Sequence, residues 1–208
     1  MDPYAIKTLA EVPTLAQLYL NSSLVASPSK PLYEPSAAVN ASVGFVCGDI
    51  TKIQVGAIVN AANSSLLGGG GVDGSIHRAA GHGLVAECKG LGGCRTGQAK
   101  LTGGYNLPAQ HVIHTVGPVY DSNDPKESKA MLRSCYEESM KLASQNGIKT
   151  LAFPCVSTGI YRFPAKLASE VACDSVRKYL DKNKGALERV VFVTYEPKDR
   201  AAYNEMLP

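Results

Sequence analysis

Short apolar runs alternating with amphipathic stretches predict an α/β fold, with a largely parallel sheet covered by helices on both faces. Three observations carry this prediction. VGFVC (Val43 to Cys47), AIVNAA (Ala57 to Ala62), HVIHTV (His111 to Val116), TLAF (Thr150 to Phe153) and RVVFVT (Arg189 to Thr194) have the length of buried strands rather than helices. Two longer segments between them repeat apolar residues at helical spacing. The two segments best suited to hold an anion both follow strand candidates, which is where open α/β sheets bind ligands.

Residues 1–41 differ in texture from the rest. An apolar-periodic stretch around Leu9 to Leu20 reads as a short helix, and SPSKPLYEPSAAVNAS reads as a linker, so 1–41 form an N-terminal helical extension and 42–208 the main domain. After the second strand come Asn63, two serines and two leucines, then the run Gly68 to Gly71. Gly74 to Ala80 suit a helix start, with Asp73 at or next to its N-cap. Residues 85–100 read as helix and loop. In Lys126 to Asn146, Leu132, Cys135, Tyr136, Met140 and Ala143 share one helical face, and Gly147 supplies the stop. From Pro164, near a helix start, Ala168, Val171, Ala172, Val176 and Tyr179 form a second such face, and Gly185 lies just past its end.

The bulk numbers exclude several classes. A 208-residue chain with 45% hydrophobic and 19% charged residues falls in the ordinary globular range. The net charge of +3 is dispersed, so a nucleic-acid partner is not expected. The first twenty residues have no uninterrupted apolar region, and no stretch reaches the roughly 18 apolar residues of a membrane span. An intracellular protein, cytoplasmic or nuclear, is the expectation, with no membrane partner. Cys47, Cys88, Cys94, Cys135, Cys155 and Cys173 include no CxxC pair and read as reduced, mostly buried thiols. A zinc site from Cys88, Cys94 and His77 or His82 matches no usual ligand spacing, so no metal is expected.

The glycine run carries the chemistry. Four adjacent glycines leave the backbone unshielded and free to visit φ > 0, so several N–H groups can converge on one anion. A helix N-terminus follows and adds further attraction for negative charge. Gly69, Gly71 and Gly74 also satisfy GxGxxG, but five residues separate the glycine run from the strand and no acidic strand end follows about 20 residues on, as a dinucleotide-binding unit requires. The Lys-Ser or Lys-Thr of a Walker loop is absent. Pro154 to Pro164, PCVSTGIYRFP, offers hydroxyl and backbone donors at Ser157, Thr158 and Gly159, and flat apolar faces at Tyr161 and Phe163. Two donor loops facing each other, with an aromatic wall and few local cations, describe a pocket for a pyrophosphate.

GDIT (Gly48 to Thr51), AIVNAANSSLLGGGGVDGSIHRAAG (Ala57 to Gly81), HVIHTVGP (His111 to Pro118) and PCVSTGIYRFP together resemble the macrodomain family, specifically its MacroD-type ADP-ribosyl hydrolase branch. The resemblance covers about residues 42–208. It implies a three-layer α/β/α domain with a mixed, mainly parallel sheet that binds ADP-ribose at the strand ends, without a cofactor. It also implies ADP-ribosylated proteins and O-acetyl-ADP-ribose as substrates, acted on by a monomer.

The resemblance assigns roles residue by residue. Asp49, between Gly48 and Ile50, would accept a hydrogen bond from the adenine amino group, and Tyr195 would stack near the base. The diphosphate would lie between the backbone donors of Gly68, Gly69, Gly70, Gly71 and Val72 and those of Ser157, Thr158, Gly159, Ile160 and Tyr161. Ala61 and Ala62 would border the site. Asn63 would bind the distal ribose hydroxyls, while Asn60 braces the loop. Asp73 would orient or deprotonate a water directed at the C1″ ester linkage, a substrate phosphate oxygen sharing the proton. The helix N-terminus is expected to keep Asp73 ionised. His77, one helical turn on, shares its face and could hydrogen-bond Asp73 or the ribose. His82, His111 and His114 read as structural. Arg162 stands where many relatives have glycine, and either reaches the diphosphate or the modified protein or points into solvent. Phe163 completes the aromatic wall. The competing reading is a non-catalytic module that binds ADP-ribose; a nicotinamide oxidoreductase would need a hydride-accepting pocket, for which no residues are seen.

Overall fold

The computed structural model describes residues 5–25 and 32–207. In chain order the elements are α1 (Leu15–Leu20), α2 (Ala37–Ser42), β1 (Val43–Cys47), β2 (Ala57–Ala62), α3 (Gly71–Ala80), α4 (His82–Gly90), β3 (Ala99–Gly103), β4 (His111–Val116), α5 (Pro125–Gln145), β5 (Thr150–Phe153), α6 (Ala165–Lys182), β6 (Arg189–Thr194) and α7 (Pro197–Met206). Among the described residues, one sheet runs β1-β6-β5-β2-β4-β3. All its pairings are parallel except that of β3 with β4. The sheet is thus mixed, mainly parallel and flanked by helices on both faces. No described helix is long and apolar enough to cross a membrane.

The five expected strands form over the residues that suggested them, because their apolar runs are buried on both faces. On one face Ala57, Val59 and Ile113 pack with Leu132, Tyr136 and Met140 of α5 and with Val171, Ala172 and Val176 of α6. On the other, Ile58, Ala62, Val112 and Val116 meet Ile76 and Ala80 of α3 and Leu84 and Cys88 of α4. Asp124 caps α5 by accepting from the Glu127 N–H at 3.0 Å, and Gly147, at φ +69°, follows the Asn146 C-cap. Helix α2, capped by Ser36, forms within the expected linker, and helix α7 is unsignalled in the sequence. So is strand β3. It is an edge strand, AKLTG, with one large apolar residue, held by its antiparallel register against β4.

The N-terminal segment packs on β1. Thr14 and Gln17 form a capping box at the start of α1, the Thr14 N–H donating to Gln17 Oε1 at 2.8 Å and the Gln17 N–H to Thr14 Oγ1 at 3.2 Å. Val12, Leu15, Leu18 and Leu24 are buried, and Thr14 bridges to Gly44. A Cβ at Gly44 would lie 3.2 Å from Val12 Cγ1 and 3.3 Å from the Pro13 carbonyl oxygen, so glycine lets the segment approach the strand closely. Part of the expected linker, residues 26–31, lies outside the described residues. Beyond it Tyr33 hydrogen-bonds Asp174 of α6 and lies under the Arg177 guanidinium, 5.0 Å from ring centroid to carbon.

Candidate functional site

A cleft of about 560 Å³ opens at the carboxyl ends of the parallel strands, a size suited to a small-molecule ligand. Gly48, Asp49 and Ile50 follow β1, and Ala61, Ala62 and Asn63 close β2. Gly69 to Gly71 lead into Val72 and Asp73 of α3, Ser157 to Tyr161 follow β5, and Tyr195 follows β6. Gly117, Pro154, Cys155, Val193, Ser75, Arg78, Glu196 and Asp199 complete the lining. Segments distant in sequence therefore converge because each leaves the same edge of the sheet.

At one end of the cleft stand Asp73 and Asn63. Helix α3 begins at Gly71, three residues before the start read from the sequence, so Asp73 lies inside the first turn rather than at the cap. The residue is 3% exposed, and its carboxylate divides its two oxygens. Oδ1 accepts from Asn60 Nδ2 at 2.7 Å behind the cleft wall. Oδ2 faces Gly69, where an added Cβ would lie 3.1 Å from Oδ2 and 3.2 Å from Asn63 Nδ2. Glycine at this position keeps open the space between an acceptor and a donor. Asn63 itself closes the preceding turn: its Nδ2 donates to the Gly68 carbonyl at 2.8 Å, and its Oδ1 accepts from the Ser65 N–H at 3.0 Å.

Burial acts against the charge on Asp73. Desolvation lifts its pKa above the ordinary aspartate value, while the Asn60 hydrogen bond and nearby His77 pull the other way. Burial thus works against the expectation that the helix N-terminus keeps Asp73 ionised, and makes it a stronger base than that expectation implied. A buried carboxylate with a raised pKa is a better proton acceptor than an exposed one.

Two glycines of the run adopt left-handed backbone conformations that other residues take only at a cost, Gly68 at φ +87° and Gly71 at φ +61°. Facing them, Ser157 holds φ +67° with its Oγ buried and unpartnered, a strained residue in a ligand-facing loop. The two loops meet where Ile160, 74% exposed, reaches over Gly70: a Cβ there would lie 3.2 Å from Ile160 Cδ1. Arg78 is the one lysine or arginine among the described residues lining the cleft, so an anion here would be held chiefly by main-chain N–H groups. Lys198 of α7 braces the second loop from outside, donating to the Thr158 carbonyl at 3.0 Å.

At the other end Asp49 Oδ1 caps a short 3-10 turn (Ile50–Lys52), accepting from the Thr51 N–H at 2.9 Å and from Thr51 Oγ1 at 2.8 Å. Tyr195 is 79% exposed at the end of β6, so its ring presents an open face.

Four residues assigned to the site lie outside the lining. Gly68 sits beneath the cradle, with the His77 ring packed against it. His77, one turn further along α3, stands behind the carboxylate: its Nε2 is 3.4 Å from Asp73 Oδ1, buried and without a hydrogen-bond partner. Phe163 is no wall of the cleft. It is buried in the core, edge-on to Tyr120 with centroids 4.9 Å apart, because the chain turns inward at Arg162. Arg162 is exposed and adopts φ +54°, a backbone conformation that glycine takes at little cost.

Sequence reasoning left out Ser75 and Arg78, one and nearly two turns into α3, and Asp199, whose pKa burial raises. It also set aside Asn60 and His114. Both are fully buried, and their strands place them opposite each other in register. All six cysteines are free thiols; Cys88, Cys94 and Cys135 are buried and Cys47 is exposed. Among the described residues, His77, Cys88 and His114 bring possible ligand atoms within 4.8 Å of one another. The donor set is poorly suited to a metal, because burial pushes the Cys88 thiol up to about 11 and both His114 nitrogens already have partners.

Comparison with known proteins places this geometry. The Macro domain family model matches residues 59–172. The chain is 54% identical over 165 residues to the ADP-ribose glycohydrolase MACROD2 of Xenopus laevis, covering 79% of this chain and 40% of that protein. It is 46% identical over 185 residues to the ADP-ribose glycohydrolase MACROD1 of Rattus norvegicus, covering 89% of this chain and 72% of that one. The chain thus spans two fifths of the MACROD2 relative's length. Among solved structures, the Trypanosoma brucei macrodomain in complex with ADP-ribose superposes with a TM-score of 0.83 at 37% identity, over 98% of this chain and 79% of that one. The macro domain of ganglioside induced differentiation associated protein 2 gives 0.88 at 30% identity, over 98% and 95%.

Proposed function

The chain belongs to the macrodomain family, and from that premise we propose that it is an ADP-ribosyl hydrolase. It removes mono-ADP-ribose from acidic side chains of proteins and hydrolyses O-acetyl-ADP-ribose, both being esters of the distal ribose. The observation that carries this reading is the divided Asp73 carboxylate, anchored through Oδ1 and open to the cleft through Oδ2.

The chemistry follows from that arrangement. ADP-ribose extends along the cleft, its adenine near Asp49 and Tyr195 and its diphosphate between the glycine cradle and Ser157 to Tyr161. The distal ribose lies against Asn63 and Asp73. A water between Asp73 Oδ2 and the ester attacks it and gives its proton to the carboxylate, directly or by way of a substrate phosphate oxygen, while the ester C–O bond breaks and the acid side chain or acetate parts from ADP-ribose. General-base help of this kind is worth about 10²–10⁴-fold. The cradle stabilises the diphosphate without cations of its own, so affinity and turnover are separable functions of one cleft.

A pure binding module would need the cradle but not a buried carboxylate aimed at the distal end. Incubation with a protein mono-ADP-ribosylated on glutamate, and separately with O-acetyl-ADP-ribose, tests the reading. Release of ADP-ribose from the first and of acetate from the second is expected. Tight ADP-ribose binding with neither product would replace the hydrolase with a reader.

A further inference from the structure

Strand β2 carries Asn60 and strand β4 carries His114 at paired positions, with side chains buried between the sheet and helices α3 and α4. The surrounding layer is apolar: Ile58, Val112, Ile76, Ala80 and Leu84. Two polar side chains without a task would be disfavoured there. Their contacts form a directed chain. Asn60 Nδ2 lies 2.7 Å from Asp73 Oδ1 and 3.1 Å from His114 Nδ1, so its two amide hydrogens serve two acceptors. His114 Nε2 lies 2.9 Å from Thr102 Oγ1 on β3, and that hydroxyl is within reach of the Val112 carbonyl at 3.4 Å.

The directions are fixed by chemistry. Asp73 accepts only, when ionised, so Asn60 must present its nitrogen. His114 Nδ1 must then accept, which puts the ring proton on Nε2, where Thr102 Oγ1 receives it. The carbonyl oxygen of Asn60 is left buried and unpartnered. An amide rotated to satisfy that oxygen would aim it at the carboxylate and at the imidazole lone pair, so His114 and Asp73 together hold Asn60 in the less satisfied orientation. Burial holds His114 neutral, its pKa pushed down to about 3, as accepting at Nδ1 demands.

We propose that His114 and Asn60 form a positioning relay in which the His114 tautomer orients the Asn60 amide, and that amide anchors Asp73 Oδ1 so that Oδ2 faces the cleft. The relay deepens the hydrolase reading and rests on it for its consequence in turnover, although neither His114 nor Asn60 touches substrate. The other titratable groups near Asp73 are His77 on its own helix and Cys88 on α4.

Carboxyl-carbon NMR of the intact protein, titrated with pH, reads the Asp73 protonation midpoint without any turnover. In Asn60→Ala the midpoint is expected to rise, because a hydrogen bond to the charged form is gone. ADP-ribose Kd should stay within about threefold while kcat falls about tenfold or more, the pattern of a lost transition-state contribution rather than lost binding. His114→Leu should raise the midpoint in the same direction. His114→Asn, whose Oδ1 restores an acceptor near the position of Nδ1, should recover most of it. If His114→Leu does not fold, Thr102→Val carries the same test, since it removes the nearer acceptor of the Nε2 proton, Cys88 Sγ lying at 3.7 Å. An unmoved midpoint in Asn60→Ala overturns the relay, and a midpoint moved by Asn60→Ala but by none of the folded His114 or Thr102 variants overturns the part given to His114. Because the NMR midpoint is independent of hydrolysis, a parent protein without turnover would sink the hydrolase reading while the midpoints still decide the relay.

Discussion

At Asp73 two requirements conflict: a carboxylate that accepts a proton well should be buried, and a buried carboxylate is costly to keep charged. Burial wins, raising its pKa. With the folded pKa above the unfolded one, the group favours the folded state below the unfolded value, and that contribution is lost as pH rises through the folded value. Asp73→Asn is therefore expected to melt above the parent at pH 7, the gap closing as pH falls through the raised folded value to the ordinary aspartate value; scanning calorimetry at several pH values checks it, and a gap that does not change with pH would exclude carboxylate desolvation as its cause. Arg162 shows the opposite case. Its φ of +54° strains any residue with a Cβ, so Arg162→Gly should stabilise by up to about 1 kcal/mol in urea titrations, the relief of the left-handed backbone offset in part by glycine's greater freedom when unfolded.

Among the elements, β2 and α3 do most to build the site. Strand β2 turns Asn60 inward and ends in Asn63 at the cleft, and the glycine run lets the chain enter α3 with Asp73 in its first turn. Gly69→Val should leave the fold intact but fill the space between Asp73 Oδ2 and Asn63 Nδ2. Calorimetry is expected to show ADP-ribose affinity reduced at least about a hundredfold, since a blocked contact forfeits a few kcal/mol; retained affinity would mean the distal ribose lies elsewhere. The elements were legible where pattern is strong. Five apolar runs announced five strands, and the stripes of Leu132 to Ala143 and Ala168 to Val176 announced α5 and α6. Strand β3 was illegible because an edge strand exposed on one side needs no apolar run. The cleft was legible in its glycines and in Asp49, Asn63 and Asp73, whose motifs are long and ordered. Phe163 was misplaced because sequence does not say which way a turn directs its last residue. Asn60 and His114 were set aside because only the β2–β4 register brings them together.

For the whole molecule, the N-terminal segment and the sheet share one core. Leu15 and Leu18 pack with Val43, Phe45 and Phe192. Leu15→Ala should destabilise the entire domain by about 2–5 kcal/mol in urea unfolding, as expected for a buried leucine, with all probes moving together. A loss confined to a local probe would make the segment an accessory. The sheet gathers loops from the ends of five strands into one cleft. In the proposed hydrolase, binding and chemistry part at one carboxylate. The decisive comparison sets the parent beside Asp73→Ala, measuring ADP-ribose affinity and ADP-ribose release from a protein mono-ADP-ribosylated on glutamate. Affinity within about threefold and release slowed about 10²–10⁴-fold is the expected result. Near-parental release by Asp73→Ala, or no release by the parent, would show that the chemistry does not rest on Asp73.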